Sequence, residues 1–522
     1  MIGKFLILLN TVKYLKFIQI YYRLFYLVRN KFRKFTGFKY NLFKGSNSTA
    51  LKLSDSIHCY KSYLGNGEFV FLNLHKKFND KIDWNFSKYG KLWTYNLNYF
   101  EYLNQESFSE HEGLEMIFDF IDNLESVKDG LEPFPISLRG INWTKFLTKY
   151  KINERKIDDC LYAQYYILLD NLEYHLLGNH LLENGFSLLF GAYYFQDEKL
   201  YNKAAEILKT ELDEQILDDG AHFELSPMYH QLMLFRLLDC INLVVSNSLS
   251  GISERETDNL KKFLITKAEM MLGWLKCISY ENGNIPLFND SANFIAPSSI
   301  QLFEYAQNLK FKIKNSTLKE SGYRKISKEN YECIVDIGQI GASYIPGHTH
   351  ADTFNFELYI KNKPFIVDTG TSTYEIGERR NFERSTKAHN TVEINGENSS
   401  EVWSGFRVAD RAEIVKMEES QNYIEAVHDG YKKRFGILHT RRWKFEEDKI
   451  TITDILNENC EAVARLHFHP DITEEEIKQK IVIQNSTFNI QNYKCAFEFN
   501  KTEDALVLEV PFESELGMEI YI

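Results

Sequence analysis

No run of about 18 consecutive apolar residues occurs in this chain, so no segment of it reads as a membrane-spanning helix. Basic excess is missing too. The net charge of −12 argues against a nucleic-acid partner, which is normally met by a cationic surface. It leaves open a polyanion gripped in a local basic groove. Cysteine is sparse and unpatterned: Cys59, Cys160, Cys240, Cys277, Cys333, Cys460 and Cys495 are odd in number and include no CxxC pair. That excludes a disulfide framework and a Cys-based zinc site, and leaves free, mostly buried thiols. The chain has no internal repeat and no low-complexity linker. The short apolar run at residues 5–9 follows Lys4, but Asn10 and Lys13 interrupt it and no small-residue cleavage site comes after. A clear secretory signal is therefore lacking.

What is present is ordinary for a globular protein: 44% hydrophobic and 26% charged residues over a length of 522. That length exceeds what one hydrophobic core serves, so two domains are expected. Aromatic residues reach 15%, with 31 Tyr and 39 Phe. Most belong in cores, although such rings also suit stacking on sugar faces. Residues 11–36 read as a basic, aromatic, amphipathic helix. Such a helix either lies on an anionic membrane surface or packs against the body of the protein.

The texture of the chain changes near residue 325. Before it, apolar residues recur at helical spacing over 158–177, 180–196, 199–215, 228–247 and 256–278, separated by short polar or glycine-bearing turns. Helices joined in this way predict antiparallel pairs that can wind into a toroid. After it, alternating strands are expected at 333–337, 354–360, 364–367, 391–394, 423–427, 449–453 and 488–490, with hairpin-like turns between them. Helices first and strands second predict an α+β protein of separate domains. The expected division is an N-terminal amphipathic segment at 1–40, a helical domain at 41–325 and a β domain at 326–522.

Four clusters of polar residues can carry chemistry. In Gly178-Asn179-His180-Leu181-Leu182-Glu183-Asn184-Gly185, helical spacing puts Asn179, His180 and Glu183 on one face; the alternative is a capped helix start with one satisfied histidine. In Glu224-Leu225-Ser226-Pro227-Met228-Tyr229-His230, Ser226 is a natural N-cap and Pro227 a natural first helical residue. Tyr229 then falls in the first turn, where the helix dipole favours a phenolate suited to proton transfer; otherwise it is a core tyrosine. In Pro346-Gly347-His348-Thr349-His350-Ala351-Asp352, the two histidines stand two apart in an extended segment and point to one side. Together with Asp368 and His389, His350 offers nitrogen and carboxylate donors suited to zinc, or a metal-free polar cluster. Finally, Arg139, Asn142 and Trp143 combine a guanidinium able to grip a carboxylate, an amide and an indole; the alternative is an internal pair beside a core Trp.

Taken together these segments resemble the heparinase II/III-like polysaccharide lyases. The resemblance runs in order through residues 93–100 (Trp93-Thr94-Tyr95-Asn96-Leu97-Asn98-Tyr99-Phe100), the patch at 139–143, residues 178–185, 226–230 and 348–358, and the stretch 379–395. It implies an incomplete α/α toroid followed by an antiparallel β-sandwich, with an active site in the groove between them. It implies an acidic polysaccharide substrate cleaved by β-elimination, with Tyr229 and His348 as proton-transfer groups. Asn179, His180 and Glu183 would neutralise the uronate carboxylate, and Arg139, Asn142, Trp143 and His230 would bind substrate. It further implies one structural zinc ion at His350, Asp368 and His389, and no organic cofactor. The N-terminal helix resembles that of family members encoded beside exopolysaccharide or O-antigen assembly genes, which tells against a nutrient-degrading role and toward exopolysaccharide, capsule or O-antigen metabolism. The lack of a clear signal peptide favours a bacterial protein that is cytoplasmic or membrane-associated over a secreted one. A uronyl C5-epimerase or a non-catalytic glycan-binding or assembly protein would fit the same residues. A hydrolase would not, because no carboxylate pair stands out.

Overall fold

A computed structural model describes residues 2–40, 48–314, 316–484 and 486–522, with side chains from Ile7 onward. Two helices come first, α1 (Ile2–Val12) and α2 (Phe17–Thr36). The expected domain boundary at 40/41 borders residues 41–47, which lie outside the described residues. A small antiparallel sheet (Tyr63–Gly65, Glu68–Phe71, Leu74–Lys77) then leads into the helical domain. That domain is built from α3 (Lys91–Tyr99), α4 (Glu110–Asp122), α5 (Pro133–Tyr150), α6 (Arg155–Asp170), α7 (Gly178–Phe195), α8 (Glu198–Gln215), α9 (Pro227–Ser246), α10 (Glu254–Ile278) and α11 (Ser299–Asn308).

The helices form an incomplete toroid around one core, and α5 and α7 lie deep inside it. Nearly every residue of α7 is buried, as expected of a helix that is apolar on all sides. Most helix starts are capped as the sequence dictates. Ser109, Asp197, Ser226, Ser253 and Ser298 each accept a first-turn N–H, which satisfies a donor that the helix cannot. The helix expected over 158–177 ends sooner, at Asp170. Asn171 closes it, and residues 171–177 form a connection ending at Leu177 and Gly178, both left-handed.

From Tyr323 onward the chain is mainly antiparallel sheet, with short helices at Glu378–Glu383, Lys432–Phe435 and Glu474–Lys480. A four-stranded sheet runs Tyr323–Ser327, Tyr331–Asp336, Phe356–Ile360 and Lys363–Ile366 in spatial order. A six-stranded sheet orders Ile414–Ser420, Tyr423–His428, His439–Phe445, Lys449–Leu456, Glu515–Tyr521 and Ile481–Gln484. A second four-stranded sheet orders Asn489–Glu498, Lys501–Phe512, Ala462–His467 and Val392–Ile394. Their inward residues, among them Phe356, Trp443, Ile452, Leu466 and Leu508, share one core. The strict alternation of buried and half-exposed residues along Lys449–Leu456 shows the two-residue period of such a layer. The sandwich thus has a core of its own, while Tyr323, Ile334, Tyr359 and Phe499 of the β domain join the toroid core; the functional residues collect where the two domains meet.

Candidate active site

Helix α7 starts at a sharp turn. Gly178 has φ +59°, and a Cβ there would crowd Ile345 at 3.2 Å and Glu224 at 3.3 Å. This turn points the first residues of α7 at the seam between domains. Asn179 donates its amide to Glu224 Oε2 at 3.4 Å. His180 stacks on Phe134 and pairs through Nδ1 with Glu173 Oε1 at 3.1 Å. Burial opposes a charged His180, but Glu173 outweighs it and raises the pKa. The carboxylate that pairs with His180 is thus Glu173, and not Glu183 on the same helix. Glu183 instead approaches Arg236 Nε at 3.5 Å, and its Oε2 is buried without a partner. Burial pushes the Glu183 carboxyl up to about 7 against the pull of Arg236.

Helix α9 supplies Tyr229. Ser226 Oγ accepts the Tyr229 N–H at 3.2 Å and donates to the Asp290 carbonyl at 2.7 Å, so the cap also ties down the loop carrying Asp290. The expectation that the helix dipole lowers the Tyr229 pKa is overturned. Burial pushes it well up, and Asp290 and Glu224 add to that, over opposing effects of Tyr374 and Arg380. Desolvation exceeds the dipole, which is worth at most about 2 kcal/mol. Tyr229 is therefore a neutral phenol, with its hydroxyl 3.3 Å from that of Tyr374.

From the β domain, His348 stacks on Tyr229 with ring centroids 3.8 Å apart. Its Nδ1 meets Asp290 Oδ2 at 2.9 Å, while Nε2 lies 3.8 Å from Glu224 Oε2. Asp290 is the hub of the site. It also binds His350 Nε2 at 2.8 Å and both terminal nitrogens of Arg380, Nη2 at 2.7 Å. Burial alone would raise its pKa, but Arg380 and the hydrogen bonds from His348, His350 and Arg380 hold it well below the usual range. An ionised Asp290 fixes the proton of His348 on Nδ1 and leaves Nε2 as a base.

Two adjoining cavities of about 480 and 470 Å³ open at this seam, and Asn179, Tyr229 and Tyr374 line both. Glu183 and Arg236 face the first; His180, Glu224 and His348 face the second.

Four expected substrate-binding residues are elsewhere. Arg139 is wholly buried in α5, donating to Gln164 and to the carbonyls of Asn98 and Gly130. Asn142 donates to the Tyr99 carbonyl, and Trp143 packs edge-on against Phe100 and Phe120. His230 is held neutral between the His222 N–H and the Met271 carbonyl, its pKa driven down by burial to about 3. These residues stabilise the toroid, since buried polar groups on its inner helices must find partners there.

The zinc expectation meets a buried cluster beneath His348. His350 and His389 lie 5.2 Å apart, and His389 Nδ1 pairs with Asp368 Oδ2 at 2.8 Å. His350 Nδ1 and His389 Nε2 are buried without partners, which leaves two nitrogen donors. Asp368, however, is occupied by His389, Asn355 and the Gly370 N–H. Among the described residues no three His, Cys, Asp or Glu are gathered to hold a metal. Asp352 Oδ2, close enough to His389 to feel its charge, is likewise buried without a partner, so a zinc ion held by His350 and His389 would draw its carboxylate from Asp352 or from a re-aimed Asp368.

Glu173, Glu224, Asp290, Tyr374 and Arg380 escaped the sequence reading. Glu224 and Arg380 stand inside segments that drew attention for other residues. Asp290 sits in a loop, Asn289-Asp290-Ser291, with no spacing to announce it.

An incomplete helical toroid and an antiparallel sandwich, with a Tyr–His pair and an amide at their seam, define the architectural class. The heparinase II/III N-terminus family matches residues 136–319, and the heparinase II/III-like C-terminal family matches residues 314–512. This chain belongs to the heparinase II/III-like family. It is 23% identical over 300 residues to a heparin-sulfate lyase of Bacteroides stercoris, covering 52% of this chain and 42% of that one. It is 26% identical over 255 residues to a heparin-sulfate lyase of Pedobacter heparinus, covering 42% and 36%. The matches thus span about two fifths of the length of these relatives. A heparinase III crystal structure superposes with a TM-score of 0.65 at 14% identity, covering 97% of this chain and 91% of that one. The heparan sulfate lyase structure from Pedobacter heparinus gives 0.53 at 16% identity, covering 87% and 81%.

Proposed function

We propose that the protein is a polysaccharide lyase that cleaves glycans at uronic-acid residues by β-elimination. The observation that carries this reading is the stacking of Tyr229 on His348 at the domain seam, with Asn179 on the walls of both adjoining cavities and Glu183 on the first. Elimination removes the C5 proton next to the carboxylate, which is unfavourable until that carboxylate is neutralised. The Asn179 amide and the neutral form of Glu183 supply hydrogen bonds that strengthen as enolate character develops. His348 Nε2 takes the proton from C5. The C5–H electrons form the C4=C5 double bond, the C4–O bond breaks, and the departing oxygen takes the phenolic proton of Tyr229. Exchange with solvent then resets the pair: His348 Nε2 gives up the C5 proton to water and the Tyr229 phenolate takes one from water. No step runs through a metal.

Base and acid sit on one side of the substrate in this arrangement. It suits uronates whose C5–H and C4–O bonds lie on the same ring face, as in glucuronate, and not iduronate. The heparin-sulfate lyases among the relatives support an acidic glycan as substrate.

The test is ultraviolet absorbance from 4,5-unsaturated uronate during incubation with a panel of uronate polymers, including exopolysaccharide, capsule and O-antigen glycans. The wild type is expected to give a rise, fastest on glucuronate linkages. Tyr229→Phe should lower the rate by about 10²–10⁴-fold with unchanged circular dichroism. A flat wild-type trace across the panel, or an active Tyr229→Phe, would reject the reading.

A further inference from the structure

Helix α2 sits on the protein inside out. A surface helix normally buries its apolar stripe and shows its polar face to water. Here the polar face does the docking. Gln19 Nε2 donates to the Leu176 carbonyl, Arg23 Nε to the His175 carbonyl and Tyr26 OH to the Leu172 carbonyl, at 2.9, 3.2 and 2.5 Å. One turn further on, Arg29 reaches the Asp170 carbonyl and Arg33 the Asp170 carboxylate. These residues recur at three- and four-residue spacing and latch α2 to the connection between α6 and α7.

The opposite face is apolar and open: Phe17 is 81% exposed, Leu24 61%, Val28 64%, Phe32 64% and Phe35 89%. Fourteen of the 27 exposed large apolar side chains among the described residues fall between Leu8 and Phe38. Scattered single exposures need no explanation, but a continuous stripe of this size marks a binding surface. The charge around it says what binds. The sequence ahead of Asp55 holds eleven Lys and Arg and no Asp or Glu, within a chain of net charge −12. Lys31 and Lys34 flank the stripe, both exposed, and no ion pair among the described residues engages either.

We propose that the outward face of α2 docks on an anionic lipid bilayer, with the apolar stripe in the headgroup–acyl boundary and the flanking lysines on anionic headgroups. Among the described residues no helix is long and apolar enough to cross a membrane, so the contact is peripheral. Gln19 and Arg23, on the docking face of the same helix, line the second cavity, so α2 forms part of the cleft wall. The proposal does not depend on the chemistry of that cleft.

Co-sedimentation of the full chain with phosphatidylcholine vesicles, with and without phosphatidylglycerol, tests this. Wild type should partition onto the anionic vesicles and release with rising salt. Leu24→Ser/Val28→Ser/Phe32→Ser, which alters only outward side chains, should lose at least tenfold in partitioning. Lys31→Gln and Lys34→Gln should each lose about fivefold on anionic vesicles alone. Circular dichroism and the thermal midpoint check that the variants fold. The proposal is overturned if wild type binds neither vesicle, or if the triple variant binds as well as wild type. A dimer that the triple variant converts to monomer, without vesicle binding, would give the face to a second copy and also overturn it.

Discussion

At the scale of single residues the site rests on Asp290, which appears in no motif. It is wholly buried and answers to Arg380, His348 and His350 together. Replacing it with Asn leaves Arg380 buried without its counter-charge, an imbalance that typically costs about 3–5 kcal/mol. Asp290→Asn should therefore shift the urea midpoint strongly downward as well as slow elimination. Glu183 makes a separate prediction. Its carboxyl titrates near 7 and works in its neutral form, so kcat/KM should fall as pH rises through about 7. Glu183→Gln, which cannot titrate, should flatten that limb, and a limb that survived unchanged would assign it to another group. Tyr229, His348 and Asn179 were legible because a helix start or an extended pair of histidines is a local feature. Arg139, Asn142, Trp143 and His230 were misread for the converse reason. A guanidinium, an amide and an indole that grip a ligand are the same groups that satisfy buried carbonyls, and only burial tells the uses apart.

At the scale of elements, the order of helices and strands was written in the hydrophobic periods, and the change of texture near residue 325 falls within two residues of the first sandwich strand at Tyr323. Helix ends were less visible. Apolar residues continue past Asp170, so periodicity carried the helix on to residue 177, while the structure uses 171–177 to turn the chain toward the seam. Hairpin partners were legible in the turns between them, but distant ones, such as Val392–Ile394 beside Ala462–His467, were not, because those contacts join residues far apart in sequence. The entrance to α7 is where an element controls chemistry. Gly178→Ala would put a Cβ on a left-handed residue, a penalty of about 1–2 kcal/mol, and press it on Glu224 and Ile345. The expected result is a lower kcat from a displaced Asn179 amide, with only a small fall in thermal midpoint. A wild-type kcat would show that the turn tolerates the change.

At the scale of the whole molecule, two cores are joined through a polar seam whose charge states depend on pH. Glu357 of the sandwich accepts the Tyr280 hydroxyl at 3.0 Å and the Leu287 N–H at 2.9 Å from the helical side. Burial raises its pKa to about 8, against the pull of the N–H of Leu287. An acid raised on folding stabilises the fold fully below its unfolded value, near 4.5, and loses that contribution as pH climbs through about 8. The thermal midpoint should accordingly decline between about pH 5 and 8, and Glu357→Gln should make that decline shallower. An unchanged slope would mean that the seam does not titrate there.

The N-terminal helices tie both halves together. Trp403 Nε1 donates to Thr11 Oγ1 at 3.1 Å and Arg411 lies 3.6 Å over the Tyr14 ring, while α2 grips residues 170–176. Thr11 and Trp403 are 392 positions apart. During synthesis at ordinary rates, the earliest helices wait roughly 20–80 s for that partner to leave the ribosome. Throughout that interval the outward apolar side of α2 is already available, while the sandwich partners of Thr11 and Tyr14 are still unmade. A lipid surface within reach would be met first, so attachment would precede completion of the fold, and the cleft would be assembled already in place.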